Sequence, residues 1–229
     1  MQIIAVASQK GGSGKTTLAG HIAVAADRAG WGRVALVDTD PQGSLSEWWN
    51  ARKAETPLFA RTVTARLAAD IERMRSFGIE LLIVDTPPAI EATIVEVIRL
   101  ADLVIIPARP SPHDLRAVGA TVELIERLAK PLVFVLNAAT PRARITSEAV
   151  MALSQHGTLA PIVIHHRTGF AASMIDGRTV MEIAGDDRSA NEIMQLWDYI
   201  ARRLSNDHRT MLPNGMFIAP PPAESQGAA

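Results

Sequence analysis

The stretch SQKGGSGKTT, Ser8 to Thr17, holds two of the chain's four lysines, Lys10 and Lys15, around the run Gly11, Gly12, Ser13 and Gly14. Clustered glycines let successive backbone N–H groups point into one concavity, and a helix opening directly after them adds its positive end. That pairing is a polyanion cradle. In the pattern GGSGKTT, Lys15 is placed to reach β- and γ-phosphates and the Thr16 hydroxyl to take a Mg²⁺ position, with Thr17 among the residues expected to bind the nucleotide. One lysine suffices for the phosphates, so Lys10 asks for a separate explanation.

Carboxylates supply the complementary chemistry. The segment RVALVDTDPQG ends an apolar run at Asp38 and continues through Asp40, Pro41 and Gln42, and ELLIVDTPP ends another at Asp85, followed by Thr86, Pro87 and Pro88. In open parallel sheets, ligands gather at the carboxyl ends of strands. An isolated Asp after a strand is ordinarily a turn former or helix cap. Two of them, each closing a strand beside a phosphate loop, point instead to a metal or a water molecule. In FVLNAAT, Asn137 likewise closes an apolar run, where it either contacts a ligand or caps the next segment.

The elements that carry these residues follow from hydrophobic patterning. Apolar runs at 2–7, 33–38, 80–85, 102–107, 131–137 and 160–164 are too short for helices and too uniformly apolar for half-exposed strands, so they predict central parallel strands covered on both faces. Helical patterns lie between them. In PHDLRAVGATVELIERL the residues Leu115, Val118, Val122, Ile125 and Leu128 form one apolar face. Another helix over about 187–204 buries Ile193, Leu196, Trp197, Ile200 and Leu204. The alternation predicts an α/β fold with a doubly wound, mostly parallel sheet. Residues 1–205 are expected to form a single domain and 206–229 a flexible, Pro-rich tail.

Composition narrows the function further. The chain has 229 residues and no Cys, which excludes disulfides, thiolate zinc sites, iron–sulfur clusters and cysteine nucleophiles. A cytoplasmic protein is expected. The N-terminal run is too short and lacks the basic start of a signal peptide, and no stretch approaches a bilayer span. A formal charge of −1 provides no global field for nucleic acid and does not forbid a local patch. His165 and His166 are adjacent and share no helix face, so no metal site is expected there.

The run KGGSGKTT resembles the deviant Walker A motif of the ParA/MinD superfamily of P-loop ATPases, in which an additional lysine opens the loop; Lys10 occupies that place. DTDPQ, with Asp38, Asp40, Pro41 and Gln42, resembles the family's switch I, and VDTPP its Walker B carboxylate and switch II. The resemblance extends from Met1 to about Leu204. It implies an ATP- and Mg²⁺-dependent ATPase in which Lys10 reaches the partner's phosphates across a nucleotide-sandwich homodimer. Lys15 serves its own nucleotide. Asp40 orients the attacking water, Asp38 supports the loop or the metal's water shell, Asp85 holds the metal, and Asn137 reads the adenine edge. The segment IVIHHRTGF would line the other side of the base. A lysine supplied in trans makes dimerisation a condition for hydrolysis.

Within that superfamily the chain resembles short ParA-type partition ATPases, with no helix-turn-helix segment before the first strand. The resemblance implies non-specific, salt-dependent binding to nucleoid DNA, a ParB-like or other cargo-side activator, and a plasmid, chromosome or protein cluster as cargo. Arg142, Arg144, Arg167, Arg178, Arg188, Arg202 and Arg203 are candidate DNA contacts if folding clusters them. Trp48 and Trp49 are expected to pack on a short helix, or to face a partner. A MinD-like membrane ATPase needs a basic amphipathic C-terminus, whereas residues 211–229 contain no Lys or Arg, so no membrane partner is expected. A small-molecule amidase or synthetase on the same scaffold would not require Lys10 together with DTDPQ.

Overall fold

The computed structural model describes residues 1–88, 92–183 and 187–207, with the side chains of 187, 206 and 207 left aside. The six expected strands are present: β1 (Gln2–Val6), β2 (Val34–Asp38), β4 (Leu81–Asp85), β5 (Leu103–Ala108), β6 (Leu132–Ala139) and β7 (Leu159–His165). A further short strand, β3 (Leu58–Phe59), extends one edge; two residues are too few to show any periodicity. All seven strands pair in parallel in the order β3-β2-β4-β1-β5-β6-β7.

Parallel pairing forces crossovers, and the helices take both faces of the sheet. On one face α1 (Lys15–Arg28), α2 (Ser44–Ala51) and α8 (Asp187–Asp207) bury Leu18, Ile22, Trp48, Ile193 and Trp197 against Ile4, Leu36 and Ile83. On the other, α3 (Leu67–Ser76), α4 (Ala92–Leu100), α5 (Pro112–Arg127) and α6 (Arg144–Ser154) cover Ile3, Val84 and Val104. The short α7 (Thr168–Met174) follows β7. The near-continuous apolar strands are the direct cause of this three-layer arrangement, since each strand presents alternate side chains to two separate cores.

Trp31, just beyond the end of α1, meets Trp197 edge-on with ring centroids 5.1 Å apart. The closing helix continues to Asp207, three residues past its expected end. The expected tail falls on residues outside the described ones, apart from the first residues of 206–229, which are helical. Among the described residues no helix is long and apolar enough to cross a membrane.

The chain leaves β1 toward β2, fills that side through β4, then crosses to β5 and builds the other side. β1 therefore lies at the topological switch, where the carboxyl ends of its two neighbours open a crevice.

Candidate functional site

Register places the acidic residues. Val6 of β1 and Asp38 of β2 both pair with Asp85 of β4, so three adjacent strands end at one level. Asp38 and Asp85 share the parity of Leu36 and Ile83 and therefore project to the face covered by α1. The loop between β1 and α1 rises from the same level. Gly12 and Gly14 hold φ of 72° and 97°, the left-handed region that glycine enters without strain. Gly14 also leaves no room for a side chain, because a Cβ there would collide with the Asn137 amide.

The loop's polar groups meet the carboxylate that ends β4. Thr16 donates its hydroxyl to Asp85 Oδ2 at 2.6 Å. Asp85 is buried, with Oδ1 lacking a hydrogen-bond partner, and the buried Ser13 hydroxyl lacks one too. Orphaned buried oxygens are uncommon in a folded chain and mark places where a ligand or ion completes the set. Burial pushes the Asp85 carboxyl up to about 7; the Thr16 hydrogen bond opposes the shift, as does Lys15, while the Asp38 and Asp40 charges reinforce it. Burial likewise pulls the Lys15 ammonium below the ordinary lysine value, against the attraction of Asp85 and Asp40. The site is therefore a nearly buried cation facing carboxylates.

Mg²⁺ fits this donor set. A hydroxyl and a buried carboxylate beside a phosphate cradle suit a hard cation that retains much of its water shell. Among the described residues no group of three or more His, Asp or Glu side chains could hold a metal unaided, so phosphate and water would supply the remaining ligands.

A cavity of about 680 Å³ opens over the loop. Gly11, Gly12, Gly14, Lys15, Thr16 and Thr17 form its floor, Asp40 and Gln42 one side, and Trp48, Ala171, Met174 and Ile175 the wall opposite the phosphate end. Lys10 is exposed and outside this lining, its backbone N–H donating to Ser8 Oγ. Arg109, at the end of β5, does line the cavity; sequence patterning did not single it out. The sequence shows only a cation shortly after an apolar run; its approach to the loop follows from β5 lying beside β1.

Two predicted residues make hydrogen bonds within the protein. Asp38 accepts hydrogen bonds from the Asp40 N–H through Oδ1 and from the Ser46 N–H and hydroxyl through Oδ2, at 2.9–3.0 Å. Its carboxylate thus caps the first turn of α2 and holds the 39–43 loop, consistent with loop support rather than with the metal's water shell. Asn137 donates Nδ2 to the Ser13 carbonyl at 2.7 Å, beneath the loop. That bond takes one of the two Nδ2 hydrogens, leaving the second and Oδ1 for another partner.

Side chains distant in sequence hold the far wall. Trp48 packs against Gly20 of α1 and donates its indole N–H to the Arg178 carbonyl. Arg52 forms a bidentate pair with Glu182 at 2.7 and 2.9 Å and lies over the Trp48 ring. His21, fully buried on α1, donates Nδ1–H to the Thr17 carbonyl and accepts the Val180 N–H on Nε2. Burial drives its pKa down to about 4, so it is neutral, as this hydrogen-bond pattern requires. Beyond the wall, Arg167 and His165 both bind Glu192 of α8, which gives the HHR segment a structural task. Trp49 packs on Phe59 and bonds to the Pro57 carbonyl, so both tryptophans serve packing. Ala171, the residue just after the IVIHHRTGF segment, lines the cavity, whereas none of residues 162–170 does.

The arginine candidates separate in the same way. Arg144, Arg167 and Arg178 are paired with Glu148, Glu192 and Asp176. Arg142 and Arg188 lie near the carboxyl edge of the sheet, whereas Arg202 and Arg203 lie toward the other end of α8.

The sequence pattern of the CobQ/CobB/MinD/ParA nucleotide-binding domain matches residues 4–180. A relative from Halothiobacillus neapolitanus, "Maintenance of carboxysome distribution protein A", is 30% identical over 205 residues, covering 84% of this chain and 93% of its own. The chromosome-partitioning ATPase Soj of Thermus thermophilus is 26% identical, over 78% of this chain and 71% of its own. Among solved structures, an ATP complex of McdA from Cyanothece superposes with a TM-score of 0.69 at 16% identity, over 90% of this chain and 96% of that one. The cell-division ATPase MinD of Pyrococcus furiosus gives 0.72 at 18% identity, over 88% and 99%. At these identities the structural likeness is one of fold.

Proposed function

The chain belongs to the CobQ/CobB/MinD/ParA nucleotide-binding family, and from that premise we propose that it is a ParA-like ATPase that positions a macromolecular cargo through an ATP-dependent dimer cycle. One observation carries the reading. Lys15, Thr16 and Asp40 line one cavity with Asp85 behind Thr16, while Lys10, at the start of the same loop, is exposed and outside that lining. A lysine so placed suits the phosphates of a second, facing copy.

In the proposed cycle the loop N–H groups and Lys15 hold the nucleotide phosphates, and Asp40 orients water for in-line attack. Mg²⁺, held by Thr16 and through water by Asp85, supplies charge neutralisation when bound. Lys10 of a second copy completes the cation set, so hydrolysis waits on dimerisation. The ATP-bound dimer binds nucleoid DNA non-specifically; Arg142 and Arg188, both unpaired among the described residues, support a contact on that edge. A cargo-side protein stimulates hydrolysis and releases the dimer. The names of relatives suggest plasmid, chromosome or carboxysome-like cargo.

The test combines sedimentation with DNA titration in ADP, ATP and a non-hydrolysable ATP analogue at two salt concentrations. Dimers and DNA binding only in the triphosphate states, with affinity falling as salt rises, are expected. Monomers in every state would end the proposal. Lys10→Ala should bind nucleotide, remain monomeric and hydrolyse little.

A further inference from the structure

Arg109 stands at the mouth of the phosphate cavity without an assigned task. It follows the last residue of β5, the strand beside β1, and so approaches the loop from the side of the switch opposite Asp85. Its backbone is fixed: the Ser111 N–H donates to the Arg109 carbonyl at 2.7 Å, and Ser111 in turn caps α5 by accepting the Asp114 N–H. The guanidinium lies above Gly12, with one terminal nitrogen 3.7 Å from where a Cβ on that glycine would sit. It makes no hydrogen bond or ion pair with any described residue.

Charge shows what this group can do. The ionisable residues lining the cavity are Lys15 and Arg109 against Asp40 and Glu47, with Asp85 buried behind Thr16. Without Arg109 the lining would carry a net negative charge and repel a polyphosphate. The helix end and Lys15 serve the Gly14–Thr17 side of the cradle, whereas Arg109 overhangs the Gly12 side. A guanidinium offers a planar fork of donors matched to two phosphate oxygens and keeps its charge at any relevant pH. It is also already exposed, so engaging an anion does not require breaking an internal ion pair.

We propose that Arg109 is a phosphate ligand supplied in cis, which grips the terminal phosphate of a nucleoside triphosphate and makes the single subunit favour triphosphate over diphosphate. This rests on the nucleotide-binding reading of the loop. It assigns Arg109 a duty within one subunit at a cavity that Lys10 does not line. A lysine at 109 would keep the charge and lose the fork.

The experiment measures ATP and ADP affinity by calorimetry for the full chain and for Arg109→Ala, Arg109→Lys and Lys15→Ala, at protein concentrations where sedimentation shows monomers. Losing a hydrogen bond to a charged group should weaken ATP binding by about tenfold in Arg109→Ala, leave ADP within about threefold, and give an intermediate value in Arg109→Lys. Thermal melting should be unchanged, since the side chain is exposed. Equal affinities in Arg109→Ala and the parent chain, or an equal loss for ATP and ADP, would overturn the assignment. Unaltered nucleotide binding in Lys15→Ala would instead overturn the reading of the loop itself.

Discussion

The two ends of the nucleotide cavity are built by different means. At the phosphate end, one short loop and the ends of adjacent strands supply nearly everything: backbone N–H groups, Lys15, Thr16 and Asp85, all within consecutive motifs and one level of the sheet. At the opposite wall, Trp48 comes from α2 and Ala171, Met174 and Ile175 from α7 and the residue after it, and side chains tie the surrounding segments through His21 to Val180, Arg52 to Glu182 and Trp48 to Arg178. A floor made of backbone tolerates little change in its own residues. A wall made of side-chain ties can be loosened without touching the floor, so substitutions at the two ends should separate phosphate affinity from wall integrity.

The largest effect should come from the floor. In Gly14→Ala the new Cβ meets the Asn137 amide and the backbone must leave φ 97°, so ATP affinity should fall by more than about 100-fold while circular dichroism still reports a folded chain. Retained affinity would show that the loop is less constrained than its geometry implies.

Next in size is the pH response of the wall. His21 titrates near 4 in the fold against 6.5 in an unfolded chain. A depressed histidine pKa means that the unfolded chain takes up the proton first, so stability is complete above pH 6.5 and falls as pH drops toward 4. The loss should approach about 3 kcal/mol from 1.36 kcal/mol per pKa unit. His21→Gln should remove this part of the slope in urea melts, although the raised Asp85 pKa contributes an opposite trend to both chains. Parallel curves for the two proteins would refute the role of the neutral ring.

Glu182→Ala should cost about 2 kcal/mol, below the usual loss on breaking a fully buried pair because Glu182 keeps some exposure. It should weaken ATP binding and leave inorganic tripolyphosphate binding unchanged. Equal losses for both ligands would erase the distinction between floor and wall. The smallest effect belongs to Asn137→Ala, which removes the hydrogen bond to the Ser13 carbonyl. About 1 kcal/mol of loop support should disappear for ATP and GTP alike. A loss confined to ATP would restore the adenine contact implied by the family resemblance.

The contrast also explains what sequence could reveal. KGGSGKTT, DTDPQ and VDTPP lie on single loops, and apolar runs bounded by turns place those loops at strand ends. Six of seven strands were legible in that way, while Leu58–Phe59 owes its place to pairing with β2 rather than to its own pattern. The wall was not legible, because nothing in the neighbourhood of His21 announces Val180, 159 residues away. Asp38 and Asn137 stood out in the sequence as candidate site residues, and their hydrogen bonds run within the protein, to the 39–43 loop and α2 and to the phosphate loop. Arg109 was missed because its meaning depends on β5 lying beside β1, a fact of strand order rather than of spacing.

The tryptophans also give the molecule an internal optical gauge. Trp48 lines the cavity, whereas Trp31 and Trp197 pair beyond the far end of α1, a helix of 14 residues and so about 21 Å long. Ligand entry should perturb the emission of Trp48 and leave the distant pair as a steady reference. Occupancy could then be followed by fluorescence in the unlabelled chain.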